Sequence, residues 1–84
     1  MDCVEKYEKL AKDTRTVLRA IKRAVSGDFG RFETDRDIFY VSCVGGELYL
    51  FKADQRLGSA RLYQDTDYRF FFNVCLGYME EEDC

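Results

Sequence analysis

Aromatic rings, arginines and carboxylates are the side chains of this sequence that could do chemistry on a partner. The 84 residues include seven Phe and six Tyr, but no His, Trp or Pro. Without histidine, no Ser–His or Cys–His pair can activate a nucleophile. The sequence also has no G-x-x-x-x-G-K-[ST] loop to cradle phosphates. It therefore favours a binding protein over an enzyme.

The cysteine pattern argues against a metal centre. The four cysteines are Cys3, Cys43, Cys75 and Cys84, and no two of them form a C-x-x-C pair. Zinc sites need clustered Cys and His ligands, so we expect neither a metal nor a cofactor. The N-terminus has no hydrophobic centre of a secretion signal, which favours free thiols over disulfides.

The apolar residues are too scattered for a membrane protein. No run of 18 apolar residues occurs, so we expect no membrane span. The expected location is the cytoplasm, or the host-cell cytoplasm if the protein is viral.

A long amphipathic helix is predicted for residues 2–25. Its apolar residues recur at alternating spacings of three and four, which places them on one helix face. This stripe comprises Val4, Tyr7, Ala11, Thr14, Leu18, Ile21 and Val25, and is widened by Leu10, Val17 and Ala24. The spacing also fits a coiled coil, but Ala11 and Thr14 make a poor seam. We therefore expect the helix to lie across a sheet of its own domain.

The rest of the chain predicts an antiparallel sheet. Gly45-Gly46 separates two runs rich in β-branched and aromatic residues, which is a strong hairpin signal. Closing that hairpin pairs Cys43 with Leu48 and Val41 with Leu50. The last strand is predicted for residues 68–79. The predicted fold is α+β, with the N-terminal helix on one face of a 4–5-stranded meander. We expect one domain over residues 1–79, with its sheet over 29–79, and an acidic tail over 80–84.

One helix can cover only one face of this sheet, so the other face is the first candidate for binding. Alternation along the strands assigns to that face an aromatic and basic set. The set comprises Tyr40, Tyr49, Phe51, Tyr63, Phe71, Arg61 and Arg69. Aromatic residues and arginine are enriched in protein interfaces. Two alternatives are that the sheet curls into a half-barrel and that the tail folds across this face.

Charge is distributed unevenly along the chain. Residues 2–25 hold seven basic and four acidic residues, whereas residues 26–84 hold six basic and twelve acidic ones. The acidic candidates for partner binding are Asp65, Asp67, Glu80, Glu81, Glu82 and Asp83. They would dock on a basic protein or imitate nucleic-acid phosphates, and the alternative is a solvated C-terminus.

These features favour a small protein-binding module that acts by covering a partner's surface. Small, charge-polarised domains of this kind are common among phage and virus inhibitors of host nucleic-acid machinery, including anti-CRISPR proteins. That likeness is one of type and not of sequence. One alternative is nucleic-acid binding through the aromatic face or the basic helix face, although the acidic sheet half weakens phosphate contacts. The basic helix face comprises Lys6, Lys9, Lys12, Arg19, Lys22 and Arg23. The other alternative is a self-associating subunit, such as a homodimer.

Overall fold

Two helices and four strands make up the described part of the chain. The computed structural model describes residues 3–54, 56 and 58–81. The elements are α1 (Cys3–Val25), β1 (Gly30–Glu33), β2 (Ile38–Val44), β3 (Glu47–Asp54), β4 (Gly58–Asp65) and α2 (Tyr68–Glu81). The strands form one antiparallel sheet in the order β1-β2-β3-β4. This confirms the α+β class, the long N-terminal helix and the antiparallel meander. The predicted helix start at Asp2 lies outside the described residues.

The C-terminal end of α1 is closed by a left-handed glycine. Gly27 has φ +95°. The amide of Gly27 donates to the carbonyl of Ala24, and the amide of Asp28 donates to the carbonyl of Arg23, both at 3.1 Å. This pair of bonds is the Schellman arrangement, which satisfies the last carbonyls of a helix. The chain is thereby turned from α1 into β1.

The central hairpin has the predicted register. Cys43 pairs with Leu48, Val41 with Leu50 and Tyr40 with Phe51. The two-residue turn places Gly45 at φ +59° and Gly46 at φ +81°. Positive φ at both positions is what a type I′ turn needs, and its twist matches that of the flanking strands.

A β-bulge interrupts the alternation of β4. Leu50 pairs with Tyr63, but the next residue of β3, Phe51, pairs with Arg61. Leu62 is therefore the extra residue on β4. Because one added residue exchanges the two faces beyond it, Tyr63 turns toward the helices while Arg61 stays on the opposite side.

The predicted last strand is wrong, because residues 68–81 form α2. Its aromatic run favours a strand, yet Phe71, Cys75 and Met79 are buried at spacings of four. In a strand Asn73 would share a face with Phe71 and Cys75, but it is exposed while they are buried, as the rotation of a helix requires. The sheet therefore ends at Asp65 rather than at residue 79. Glu80 and Glu81 belong to α2, so the predicted start of the tail at residue 80 falls inside a helix.

Both helices contribute to one core on the same side of the sheet. The buried cluster comprises Val17, Ala20, Ile21, Ala24, Phe32, Phe39, Val41, Leu48, Leu50, Phe71, Cys75 and Met79. The rings of Phe32 and Phe39 stack at a centroid distance of 4.9 Å. Tyr78 of α2 lies 5.8 Å from Phe39. Buried apolar area of this kind is the main stabilising contribution to a small domain.

Helix α1 meets the sheet at very short range. A Cβ atom added at Gly30 would lie 2.0 Å from the carbonyl oxygen of Ala20. The backbones of α1 and β1 are therefore in contact, with no side chain between them. Val17, Ala20 and Ala24 on this row of α1 are buried, together with Asp13. The carboxylate of Asp13 is paired with Lys9 at 3.3 Å.

The helix stripe predicted from the sequence is only partly the buried one. Ile21 is buried, but Val4, Tyr7, Leu18 and Val25 are exposed. The row that packs on the sheet lies to one side of the stripe, because its small alanines allow the close approach to Gly30. No helix in the described ranges is both long and apolar enough to cross a membrane.

The contact between Ala20 and Gly30 yields a stability prediction. Gly30→Ala should lower the free energy of unfolding by about 1–3 kcal/mol, because a methyl group there must push two backbones apart. Chemical denaturation followed by circular dichroism measures this loss.

The matched control is Gly77→Ala in α2. Gly77 has no neighbouring atom within 4 Å of an added Cβ. Alanine in a helix interior is about 0.5–1 kcal/mol more favourable than glycine. This variant should therefore be as stable as the wild type or more so. Equal effects of the two substitutions would contradict the assigned contact.

Candidate functional site

The face of the sheet turned away from both helices is the candidate site. We call it the open face, and its central side chains come from β2, β3 and β4. They are Tyr40, Ser42, Val44, Tyr49, Phe51, Ser59 and Arg61. Neither helix packs on this face, since the buried residues of α1 and α2 join the cluster on the other side. The arrangement within the described chain is two layers, with helices on one side and a bare sheet on the other.

Four of the seven predicted sheet-face residues meet on the open face. Tyr40 and Phe51 are directly paired across strands, and Phe51 is paired in turn with Arg61. The ring of Tyr49 lies 6.3 Å from that of Phe51, with an interplanar angle of 24°. Residues i and i+2 of a strand share a face, which explains why alternation located this group correctly.

The other three predicted residues lie on the helix side. The bulge at Leu62 turns Tyr63 toward α2, where its ring contacts Phe71 at 6.0 Å. Phe71 is fully buried because it is on the core face of α2 and not on a strand. Arg69 belongs to the first turn of α2 and is exposed. The predicted placement of these three residues on the open face is therefore wrong.

Hydrogen bonds hold the polar end of the open face in place. The Tyr49 hydroxyl donates to the Glu47 carboxylate at 2.9 Å. The side-chain amide of Gln64 donates to the other oxygen of Glu47, also at 2.9 Å. The bond to Glu47 raises the pKa of Tyr49, because the hydroxyl proton is held by a carboxylate. Tyr49 therefore presents a positioned ring rather than a freely rotating one.

Two adjoining depressions mark the surface of the open face. The first, of about 450 Å³, is lined by Phe29, Tyr40, Phe51 and Ser59. The second, of about 550 Å³, is lined by Ser42, Val44, Tyr49, Phe51, Ser59 and Arg61. Phe51 and Ser59 line both, so the two are continuous. The lining of the first is mostly aromatic, whereas the second adds the polar groups of Ser42, Ser59 and Arg61, and binding sites usually combine such surfaces.

Sequence reasoning left Phe29 and Val44 out of the site. Both are well exposed, at 66% and 65% of their surface. Alternation from Tyr40 already places Val44 on this face, and Phe29 precedes the inward-facing Gly30 by one residue. Two large apolar side chains without cover add to the case for a partner on this face.

Arg61 is the cation of the open face that has no acidic partner. It is exposed and makes no ion pair with any residue that the structure describes. Arg31 on the edge strand β1, by contrast, is paired with Glu33. A guanidinium next to the rings of Tyr49 and Phe51 can donate to a carboxylate or stack on an incoming group.

The acidic candidates near the start of α2 are engaged in structure. Asp67 caps the helix, since its carboxylate accepts the amides of Arg69 at 2.8 Å and Phe70 at 3.3 Å. Asp65 accepts the hydroxyl of Tyr63 at 2.6 Å and the amide of Asp67 at 2.9 Å. The Tyr63 hydroxyl is the main reason why the pKa of Asp65 is lowered.

The acidic candidates do not form one patch within the described residues. Asp67 precedes the first turn of α2 and Glu80 lies in its last, so about 20 Å of helix separates them at a rise of about 1.5 Å per residue. Glu81 ends the described helix, and Glu82 and Asp83 lie outside the described residues. The predicted joint role of Asp65, Asp67 and Glu80 in one acidic surface has no geometric support.

The basic helix face is partly neutralised. Lys9 is paired with Asp13 at 3.3 Å, and Arg23 with Asp28 at 2.8 Å. The bond to Arg23 is the main reason why the pKa of Asp28 is lowered. Lys6, Lys12, Arg19 and Lys22 are exposed.

The described cysteines are spread through the fold. Cys3 is exposed, Cys43 is half-buried and Cys75 is buried, and all three are free thiols. Burial raises the pKa of Cys75 from 9.0 to about 12, because a thiolate would be desolvated in the core. Among the residues described, no three His, Cys, Asp or Glu side chains cluster as a metal site would require.

Comparisons with known proteins add no family to these observations. No protein-family model matches the chain, and no significant match to it is found among curated proteins or solved structures. The function must therefore be argued from the open face itself.

The capping role of Asp67 can be separated from a binding role. Asp67→Ala should lower the free energy of unfolding by about 1 kcal/mol, because two helix amides lose their acceptor. Asp67→Asn keeps the acceptor and should retain most of the stability. Thermal unfolding of both variants gives the comparison. Equal stability of Asp67→Ala and the wild type would contradict the cap.

The buried thiol of Cys75 should react far more slowly than that of Cys3. A pKa three units above the ordinary value lowers the thiolate fraction near pH 8 by on the order of a thousandfold. Iodoacetamide labelling, followed peptide by peptide, measures this difference, and unfolding the chain should abolish it.

The same thiol makes the free energy of unfolding depend on pH. Since folding raises the pKa of Cys75, the contribution of its protonated thiol to stability is complete below pH 9. It should be lost as the pH rises from 9 toward 12.

Proposed function

We propose that this protein is a non-enzymatic protein-binding module that docks through its open face. The observation that carries the proposal is a continuous aromatic surface, from Phe29 to Tyr49, that neither helix covers. Burying such a surface against a partner would remove apolar area from water, which is the main driving force of association. The positioned ring of Tyr49 lowers the ordering cost of binding.

The depressions define the chemistry of the partner. The first is lined by three aromatic rings and by Ser59, so it suits an apolar side chain. Arg61 at the margin of the second suits a carboxylate, either of an acidic side chain or of a chain terminus. The proposed partner therefore presents an apolar anchor next to an acidic group. Anchors of this kind usually dominate the binding energy of an interface.

A finer form of this proposal is an inhibitor of host nucleic-acid machinery, of the phage or viral anti-CRISPR type. Its support is the small size and the opposite charges of the helix α1 and the remaining chain. In that form we propose that the open face blocks the partner, rather than that carboxylates imitate phosphates. Asp67 is engaged in capping α2, Asp65 is engaged by Tyr63 and the Asp67 amide, and both are far from Glu80 along α2.

Single-stranded nucleic acid is the second candidate partner, and Arg61 is the observation that favours it. Bases stack on sheet aromatics in several RNA-binding modules, with arginine at the phosphates. Binding of that kind weakens steeply as salt is raised. Docking of an apolar anchor depends much less on salt, so the two candidates are separable.

The proposal predicts the effect of substitutions on capture of a partner. The tagged full chain is incubated with lysate of its source cells, with and without nuclease. A partner held by the open face should survive nuclease treatment. It should be lost with Phe51→Ala and with Arg61→Glu, since loss of a central anchor typically weakens binding by about 2 kcal/mol or more.

The matched control is Phe70→Ala. Phe70 is also an exposed phenylalanine, but it belongs to α2 on the far side of the sheet. Capture should be unchanged in this variant, and circular dichroism verifies that all variants fold. A partner lost with Phe70→Ala but kept with Phe51→Ala would contradict docking at the open face. A partner that vanishes with nuclease would move the assignment to nucleic acid.

A further inference from the structure

An apolar stripe on α1 takes no part in the core and is not explained by the open face. We call it the α1 seam: Val4, Tyr7, Ala11, Thr14 and Leu18. Tyr7 is 73% exposed, Val4 64% and Leu18 41%. The row that packs on the sheet lies about 100° around the helix from this seam, since successive residues are rotated by that angle. The seam therefore faces away from the sheet core.

The spacing of the seam is that of a helix–helix interface. Its members alternate at intervals of three and four residues, as the a and d positions of a heptad do. Single exposed apolar residues need no explanation, but a periodic row of them on one helix does. Ala11 and Thr14 at its centre contribute little apolar area, but their small size allows another helix to approach closely.

We propose that the α1 seam binds the α1 seam of a second copy of this chain, with the two helices antiparallel. In that register Tyr7 lies opposite Leu18 of the second copy, and Ala11 lies opposite Thr14. Each layer occurs twice, because a two-fold axis relates the copies. Val4 extends the contact beyond Tyr7 to the end of the seam.

Charge complementarity selects the second copy as the occupant. Glu8 and Arg15 flank the seam on its solvent side, and both are exposed. Neither forms an ion pair within the part of the chain that the structure describes. In the antiparallel register Glu8 lies opposite Arg15 of the second copy, and the pair occurs twice. A parallel arrangement would instead bring together the basic C-terminal halves, which carry Arg15, Arg19, Lys22 and Arg23 with no acid among them.

A groove on the molecule is located where the second copy's Tyr7 would arrive. It measures about 420 Å³ and is lined by Leu18, Tyr68, Arg69, Phe72 and Asn73. Leu18 is the seam residue opposite Tyr7 in the antiparallel register. A phenol ring fits a groove whose lining is mostly apolar and includes Asn73 and Arg69 as polar groups. The interface thus joins the seam of one copy to the α1–α2 groove of the other.

Sedimentation equilibrium of the full chain tests the proposal over a range of concentrations. A reductant is included because Cys3 is exposed and could form an unrelated disulfide. The wild type should show a concentration-dependent monomer–dimer equilibrium. Tyr7→Glu should be monomeric throughout, and it should fold normally because Tyr7 is outside the core.

Exchange of the flanking charges tests the register itself. Glu8→Arg alone places like charges opposite each other twice, and so does Arg15→Glu alone. Each should weaken the dimer by about tenfold in Kd. An equimolar mixture of the two variants pairs opposite charges again at both positions and should recover the wild-type affinity. Glu5→Arg, which makes the same charge change on the far side of the helix, should have no such effect.

The results that would overturn the proposal are distinct. One is a wild type that is monomeric at every concentration, and another is a dimer that Tyr7→Glu leaves intact. The third is a mixture of Glu8→Arg and Arg15→Glu that dimerises no more tightly than either variant alone. A dimer lost with Phe51→Ala but not with Tyr7→Glu would assign self-association to the open face instead. Because the seam and the open face share no residue, either proposal can fail without the other.

Discussion

The close approach of α1 to β1 is the contact on which the rest of the structure depends. Gly30 has no side chain, and Ala20 presents its backbone to it at a distance that no Cβ could occupy. This contact fixes both the height of α1 above the sheet and its rotation about its own axis. Val17 and Ala24 are then directed into the core, and the seam from Val4 to Leu18 is left outside. The contact between Ala20 and Gly30 therefore determines both the packing of α1 on the sheet and the surface of α1 that stays exposed.

The position of α2 decides which face of the sheet stays open. Had residues 68–79 formed a fifth strand, α1 alone would have had to cover a wider sheet. Instead Phe71, Cys75 and Met79 complete the layer that α1 begins, on the same side. A two-layer domain leaves one sheet face to solvent, and in this chain that face is aromatic rather than polar. Association with a partner is the physical use that such a composition suggests.

The two proposed surfaces are compatible with each other. The open face is formed by strands and the α1 seam by the helix layer on the other side. A dimer through α1 would leave both open faces accessible, so that two partners, or two sites on one partner, would be engaged together. Linked sites of this kind raise overall avidity without any new contact. The bulge at Leu62 contributes to this separation, since it keeps Tyr63 with the helices and Arg61 with the open face.

The sequence by itself determined the local elements whose signals are local. These are the period of α1, its end at Gly27, and the hairpin at Gly45-Gly46 with its register, which place Tyr40, Tyr49 and Phe51 on one face. Asp67, as a helix cap, was a signal for α2, whereas the spacing of four between Phe71, Cys75 and Met79 fits a helix face and a strand face alike. The dense aromatic run, however, fits a strand equally well by propensity. Only the tertiary structure decided the identity of α2, the bulge at Leu62 and the side of α1 that is buried. Each depends on contacts between residues far apart in the chain, which no local pattern contains.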